Sequence, residues 1–207
     1  MLVLVIGGSA SGKSAFAEEI IEKIRDKNGN KYYLAFMKND SVAAEKRIER
    51  HKKLRDGKGF ITLEITCDVD KKLPEIIDNS VKKTACVSVH EGNSPEGIDK
   101  EKRRGRDTVL MESVGVLLAN EMFGDSDVRE DAGEYVLSEL LNSSEYFENT
   151  VIVAEDVFAD GNDYDEYSRK YIEALGDVNR GLAERADIVI EAVCSYPLWI
   201  KGERMAI

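Results

Sequence analysis

Eight residues near the start of the chain, Gly7-Gly8-Ser9-Ala10-Ser11-Gly12-Lys13-Ser14, fit the pattern G-x-x-x-x-G-K-[ST] in full. They directly follow the apolar run Leu2-Val3-Leu4-Val5-Ile6. A strand that turns into a helix through such a loop is the context in which this pattern has a mechanism. The glycines let backbone N–H groups wrap around phosphate oxygens, and the helix N-terminus behind them adds the positive end of its dipole. Lys13 then reaches the β- and γ-phosphates, and the Ser14 hydroxyl becomes a ligand for Mg²⁺. All eight residues are expected to bind a nucleoside triphosphate.

A second cluster lies in Arg47-Ile48-Glu49-Arg50-His51-Lys52-Lys53-Leu54-Arg55. On a helix over Asn39–Arg55, the residues Arg47, His51 and Arg55 stand at i, i+4 and i+8 and share a face. Two guanidiniums beside an imidazole attract polyphosphate and disfavour protonation of the ring, which keeps it nucleophilic near neutral pH. A neutral imidazole can attack an α-phosphate and form a phosphoramidate. The spacing alone also fits a surface histidine on a basic, solvated helix.

These residues need a frame that carries a loop at a strand end and a helix beside it. Short β-rich runs alternate with longer helical stretches, the pattern of a mostly parallel central sheet flanked by helices. Strands are expected at Leu2–Ile6, Tyr32–Phe36, Phe60–Thr66, Val109–Ser113 and Val151–Val157, with Ile188–Val193 as the last. Helices are expected over Ser14–Asp26, Asn39–Arg55, Val114–Phe123, Gly133–Tyr146 and Asp165–Arg185. Asp68 is placed to cap a further helix, in which Pro74 marks a break or a restart. With its N-terminal loop, the whole reads as an α/β, P-loop NTPase-like fold in a single domain over residues 1–207. Residues 86–107, which hold Gly92-Asn93-Ser94-Pro95, His90-Glu91 and the basic cluster Lys100–Arg106, read as a loop insertion, and Gly124–Glu134 as an acidic exposed loop. Trp199 reads as core packing.

Composition narrows the partners. The chain has 207 residues, 43% hydrophobic and 33% charged, which suits a soluble globular domain. A net charge of −11 argues against general binding of nucleic acid or an anionic membrane, since both reward a basic face. No apolar run reaches the length of a membrane span, and no basic region precedes the first apolar stretch. The three cysteines, Cys67, Cys86 and Cys194, lie far apart without a C-x-x-C pair and read as buried free thiols of a reducing, cytoplasmic compartment.

The order of these segments resembles the adenosylcobinamide kinase / adenosylcobinamide-phosphate guanylyltransferase family. Arg47-Ile48, His51-Lys52 and Arg55 are similar to that family's guanylylation segment, with Lys53 and Leu54 inside it. Thr62-Leu63-Glu64 resembles its T-x-E, and Val109-Leu110-Met111-Glu112-Ser113 with Ala119-Asn120 its L-L-E-C and T-N. Gly176-Asp177-Val178-Asn179-Arg180-Gly181-Leu182-Ala183 followed by Ala186-Asp187 is similar to G-x-V-N-Q-x-L-A-x-x-A-D, and Pro197-Leu198-Trp199-Ile200-Lys201 to the ending P-L-x-x-K. The chain departs from the pattern where Ala35-Phe36-Met37 replaces A-T-S beside the expected nucleotide site, and where Glu155-Asp156-Val157-Phe158 replaces N-E-V-G. Asn162 stands in place of I-V-P, and of two arginines in the next helix Arg169 is kept while the other position holds Ile172.

The resemblance implies a bifunctional enzyme of cobalamin biosynthesis. ATP or GTP would phosphorylate adenosylcobinamide, and His51 would then carry GMP from GTP to the phosphorylated corrinoid. Lys13 and His51 are the implied catalytic residues. Ala35, Phe36, Met37, Arg47, Lys52, Lys53, Leu54, Arg55, Glu64 and Glu112 are implied nucleotide-binding residues, and Ser14 and Glu112 the Mg²⁺ ligands. A symmetric homo-oligomer such as a trimer is implied as well. Two other readings compete: a P-loop small-molecule kinase without guanylyl transfer, and a nucleotide-binding regulatory protein whose loops switch with the nucleotide. A switch would have no use for the His51 cluster.

Overall fold

Runs such as Val3-Leu4-Val5 and Val151–Ala154 are apolar at every position, so both of their faces must be covered, as in a parallel sheet between helical layers. The structure, a computed structural model, describes residues 1–38, 41–87, 106–124, 128–157 and 163–205. Within helices, the side chains at 42–44, 47, 50, 51, 54 and 80–87 lie outside that description. The elements follow in the order β1 (Leu2–Gly7), α1 (Lys13–Ile24), β2 (Lys31–Ala35), α2 (Val42–Arg55), β3 (Phe60–Glu64), α3 (Val69–Val87) and β4 (Thr108–Glu112). Then come α4 (Val114–Phe123), α5 (Ala132–Ser144), β5 (Asn149–Glu155), α6 (Glu166–Arg185), β6 (Ile188–Val193) and β7 (Tyr196–Lys201).

The strands form one sheet in the order β3-β2-β4-β5-β1-β6-β7. All neighbours run parallel except the antiparallel pair β6 and β7. Alternate residues of each strand serve two cores. Val3, Val5, Tyr33, Leu110 and Ile190 pack with Ala17, Ile20 and Ile21 of α1 on one face. Leu4, Leu34, Met111 and Ile152 pack with Leu117, Val136, Leu140, Val178 and Leu182 of α4, α5 and α6 on the other. This arrangement is the α/β, mostly parallel, P-loop NTPase-like fold that the sequence pattern predicts.

Four expectations are corrected. Ile188–Val193 is not the last strand, because Tyr196–Lys201 folds back on it as an edge strand. Pro197 is tolerated there, since an edge leaves one row of backbone groups unpaired. Pro74 neither breaks nor restarts α3, which runs through it while Val69 and Leu73 stay buried on its inner face. Asp68 does not cap α3: its carboxylate accepts from the Tyr135 hydroxyl and Lys71, while Glu121 and Glu139 take the backbone N–H groups of Asp68 and Val69. The cysteines are not all buried, for Cys67 is half-buried and Cys194 exposed, both as free thiols. Asn39, His90-Glu91, Gly92–Pro95, Phe158, Asn162 and the basic cluster up to residue 105 lie outside the described residues, as does the side chain of Cys86.

Candidate functional site

The loop from Gly7 to Ser14 is shaped by backbone conformation more than by side chains. Ala10 and Gly12 take left-handed φ values of 57° and 90°, which fold the loop back before α1 begins. Position 12 has no space for a side chain: a Cβ there would lie 2.7 Å from Ser195 Oγ and 3.1 Å from Ser195 Cα. The loop rests on the β6–β7 hairpin, whose two-residue turn Cys194-Ser195 has positive φ at both positions, as tight hairpin turns require. The Ser195 N–H donates to the Ser11 carbonyl at 2.8 Å, and the Asp156 N–H to the Gly7 carbonyl at 3.0 Å. Helix α1 starts without a side-chain cap and without an acid in its first turn. Its leading N–H groups therefore point at the loop as unopposed donors for an anion.

Three side chains complete this centre. Lys13 donates from Nζ to the Gly8 carbonyl at 3.0 Å, so its ammonium lies across the loop it belongs to. Ser14 donates from its hydroxyl to Glu112 Oε1, which brings the end of β4 to the start of α1. Glu112 is itself buried. A serine hydroxyl against a carboxylate beside a phosphate loop is a hard, oxygen-only donor set, and it fits Mg²⁺.

The strand ends around this centre are locked by polar side chains. Ser113 has φ 77°, and it is held there from two sides of one carboxylate. Glu155 accepts from the Ser113 hydroxyl and from the Gly115 N–H at 2.8 Å. Tyr171 donates to the Gly115 carbonyl at 3.0 Å, and burial together with Glu155 pushes its phenol up to about 12. Asn179 donates to the Glu155 carbonyl at 3.1 Å. Asn120 ties β2, β3 and α4 together by donating to the carbonyls of Phe36 at 2.8 Å and Thr66 at 2.9 Å.

The residues after β2 are placed differently from the loop. The Phe36 ring is buried in the core and its carbonyl is engaged by Asn120. Ala35 and Met37 flank it as half-buried positions. On α2, Lys52 and Lys53 are exposed, and Lys52 pairs with Glu64 of β3 at 2.8 Å. Arg55 turns inward. It is 7% exposed, its guanidinium lies 3.4 Å from the Tyr33 ring centroid, and its Nε is buried without a hydrogen-bond partner. Arg47, His51 and Leu54 belong to the helix, but their side chains lie outside the described residues. A recess of about 440 Å³ beside Arg55 is lined by Lys52, Asp56, Gly57, Gly59, Phe60 and Thr62. It sits at the β3 edge, shares no residue with the phosphate loop, and is open to solvent.

Residues that the motif reading missed are Tyr33, Glu155 and the turn Cys194-Ser195. A tyrosine inside an apolar strand was the available signal for the first, because a buried phenol needs an acceptor. The hairpin turn left none, since neither residue is a glycine or asparagine.

One further group has metal-ligand types. Ligand atoms of Cys67, Asp68 and Glu121 lie within 4.8 Å of one another. Three cations already balance it: Lys71 at 3.0 Å and Lys72 at 3.6 Å from Asp68, and Arg129 at 3.1 Å from Glu121. The Tyr135 hydroxyl and Lys71 hold the Asp68 carboxyl down at about 2. The group reads as the polar lock at the start of α3.

A mostly parallel sheet with a phosphate loop after its first strand, facing a strand-end carboxylate, defines a P-loop nucleotide-binding protein. The family model for cobinamide kinase / cobinamide phosphate guanyltransferase matches residues 3–89 and 88–200, and the chain belongs to that family. No curated protein sequence matches it significantly. Among solved structures, the KaiC-like protein PH0186 from Pyrococcus horikoshii OT3 is similar at a TM-score of 0.43 and 15% identity, over 92% of this chain and 69% of that one. A second solved structure, described as an ATPase domain, is similar at a TM-score of 0.48 and 11% identity, over 92% of this chain and 68% of that one. Among the described residues no helix is long and apolar enough to cross a membrane.

Proposed function

We propose that this chain performs two transfers in cobalamin biosynthesis, with ATP or GTP as phosphoryl donor and GTP as guanylyl donor. In the first, the aminopropanol hydroxyl of adenosylcobinamide attacks the γ-phosphorus, the bond to the β-phosphate oxygen breaks, the nucleoside diphosphate leaves and the hydroxyl proton passes to solvent. Lys13 and the amides of Gly8–Ser14 hold the phosphates and take up charge as it develops on them. Ser14 and Glu112 would hold Mg²⁺, which when bound neutralises phosphate charge.

In the second transfer, the His51 imidazole attacks the α-phosphorus of GTP. A P–N bond forms and pyrophosphate leaves. A phosphate oxygen of the phosphorylated corrinoid then attacks the same phosphorus, which breaks the P–N bond, releases the imidazole and gives adenosylcobinamide-GDP. Arg47 and Lys52 would steady phosphates during this exchange, and Glu64 would meet the nucleoside. Arg55, whose guanidinium face stacks on the Tyr33 ring, would join them through its terminal N–H groups. A homo-oligomer and a cytoplasmic location belong to the same proposal.

The observation that best supports the reading is the Ser14–Glu112 contact at the mouth of the phosphate loop, in a chain that the family model matches on both sides of it. The competing kinase-only reading draws on Phe36, which buries a ring where the family pattern carries a hydroxyl. Incubation with Mg²⁺ and GTP labelled at the α-phosphate separates the two. Acid-labile, base-stable label on the protein, absent from His51→Ala, is the expected result. Protein that binds GTP and transfers its γ-phosphate without ever taking up label would leave only the kinase.

A further inference from the structure

Tyr33 of β2 touches both halves of the proposed chemistry, and no motif accounts for it. It is 4% exposed, with its ring in the core under α1. Its hydroxyl donates to Glu112 Oε2, while the other oxygen of the same carboxylate accepts from Ser14. An ionised carboxylate only accepts, so the phenol is the donor of this bond. The Arg55 guanidinium lies over its ring, and the Phe60 ring meets it edge-on with centroids 6.2 Å apart. Arg55 closes α2, and the turn behind it is fastened in turn: its carbonyl accepts the Lys58 N–H at 3.0 Å, and Lys58 pairs with Glu18 of α1.

We propose that Tyr33 is a positioning residue for the metal site: its hydroxyl turns Glu112 so that Oε1 faces Ser14 and the Mg²⁺ they would share, and the Arg55 stack joins that setting to the end of the helix that carries His51. A carboxylate has two equivalent oxygens and rotates freely about its last bond. Fixing one oxygen with a buried donor removes that freedom before the metal arrives, which lowers the cost of binding it. The arrangement also couples the end of α2 to the nucleotide loop through two side chains.

The inference rests on the proposed function, and its test reads binding, not turnover. Equilibrium binding of a fluorescent, non-hydrolysable GTP analogue is titrated with Mg²⁺ in the wild type, Tyr33→Phe, Glu112→Gln and the double variant. Tyr33→Phe keeps the ring and its stack and removes only the donor. Its half-saturating Mg²⁺ is expected to rise about tenfold, the usual weight of one hydrogen bond to a charged group, with metal-free affinity unchanged. On top of Glu112→Gln it is expected to add nothing. Arg55→Gln, which spares the hydroxyl, should raise the Mg²⁺ requirement about threefold and carries the test if Tyr33→Phe does not fold. A Tyr33→Phe protein with wild-type Mg²⁺ dependence, or one whose effect survives in full beside Glu112→Gln, overturns the positioning role alone. A wild type that holds no nucleotide brings down the proposed function and this inference with it.

Discussion

The phosphate loop and the helix α2 carry the two proposed chemistries, and their described residues are held in different ways. The loop is bound on every side: β1 and α1 continue it, Asp156 and Ser195 hold its backbone, and its side chains reach Glu112 and Gly8. The described side chains of helix α2 have less such support. Among its described side chains Glu45, Lys46, Glu49, Lys52 and Lys53 are exposed, Ile48 is half-buried and only Arg55 is buried. A phosphate cradle needs fixed backbone dipoles, so it is built where the sheet dictates the backbone. The proposed nucleophile would be carried on a helix whose final residue, Arg55, is fastened to the core.

The sharpest break in this comparison comes from the loop's own charge. Lys13→Ala should lower γ-phosphate transfer by roughly 10²–10³-fold, as loss of one preorganised charged donor does. The thermal midpoint should change little, since Lys13 is only half-buried and makes one described hydrogen bond. Rates and thermal unfolding measured on the same preparation check both parts. A variant that keeps its rate would move the phosphoryl site away from the loop.

Glycine exchanges set the two regions side by side. Gly12→Ala forces a Cβ into Ser195 at a φ of 90°, so it combines a left-handed penalty of about 1–2 kcal/mol with a backbone shift in the loop. Gly57→Ala, in the turn that follows α2, meets nothing within 4 Å at a φ of 75°. It should cost only that left-handed penalty of about 1–2 kcal/mol and leave nucleotide affinity intact. Denaturant unfolding and nucleotide titration of the pair are expected to separate them, with affinity lost only in Gly12→Ala. Equal affinity losses would mean that the α2 turn is as tightly coupled to the nucleotide as the loop itself.

The loop was legible because its pattern and its surroundings are short-range and steric. The strands were legible because continuous apolar runs such as Val151–Ala154 admit few alternatives in an alternating chain. Side-chain direction was not legible where long-range contacts decide it. Phe36 follows the strand in a segment read as nucleotide-facing, yet its ring fills the core. Arg55 shares the i, i+4, i+8 pattern with Arg47 and His51, and only the structure shows its guanidinium on the Tyr33 ring. No local signal announces that β7 adds itself to the sheet, since Tyr196, Leu198 and Ile200 stay exposed and only its pairing with β6 makes it a strand.

A pH effect should come from neither region. Glu139 of α5 is fully buried, accepts the Val69 N–H at 2.7 Å and has Oε2 buried without a partner. Desolvation, then Glu121, Asp70 and Asp68, raise its carboxyl from 4.5 to about 8, against the lowering effect of the Val69 N–H. A folded-state value above the unfolded one stabilises fully below pH 4.5, and that stability is lost as pH rises through about 8. The loss approaches about 1.4 kcal/mol per pH unit within that window. Glu139→Gln keeps an acceptor for Val69 and cannot ionise, so its unfolding free energy should vary less between pH 5 and 8. If the slope survives in that variant, the titrating group lies elsewhere and the start of α3 is not the pH-sensitive part of the fold.

The smallest effect is expected at Lys52 and Glu64, and it is the one that tells function from scaffold on α2. Their side chains are 56% and 60% exposed around a 2.8 Å ion pair. Solvent screens such a pair, so breaking it should change stability by no more than about 0.5 kcal/mol. Lys52→Ala and Glu64→Ala are therefore expected to unfold with the wild type. If these residues steady the nucleotide during guanylyl transfer, label uptake from α-labelled GTP will fall in both while γ-phosphate transfer stays whole. Unchanged label in both would leave the pair as surface charge, and Arg55, held on Tyr33, as the only described side chain through which α2 reaches the nucleotide centre.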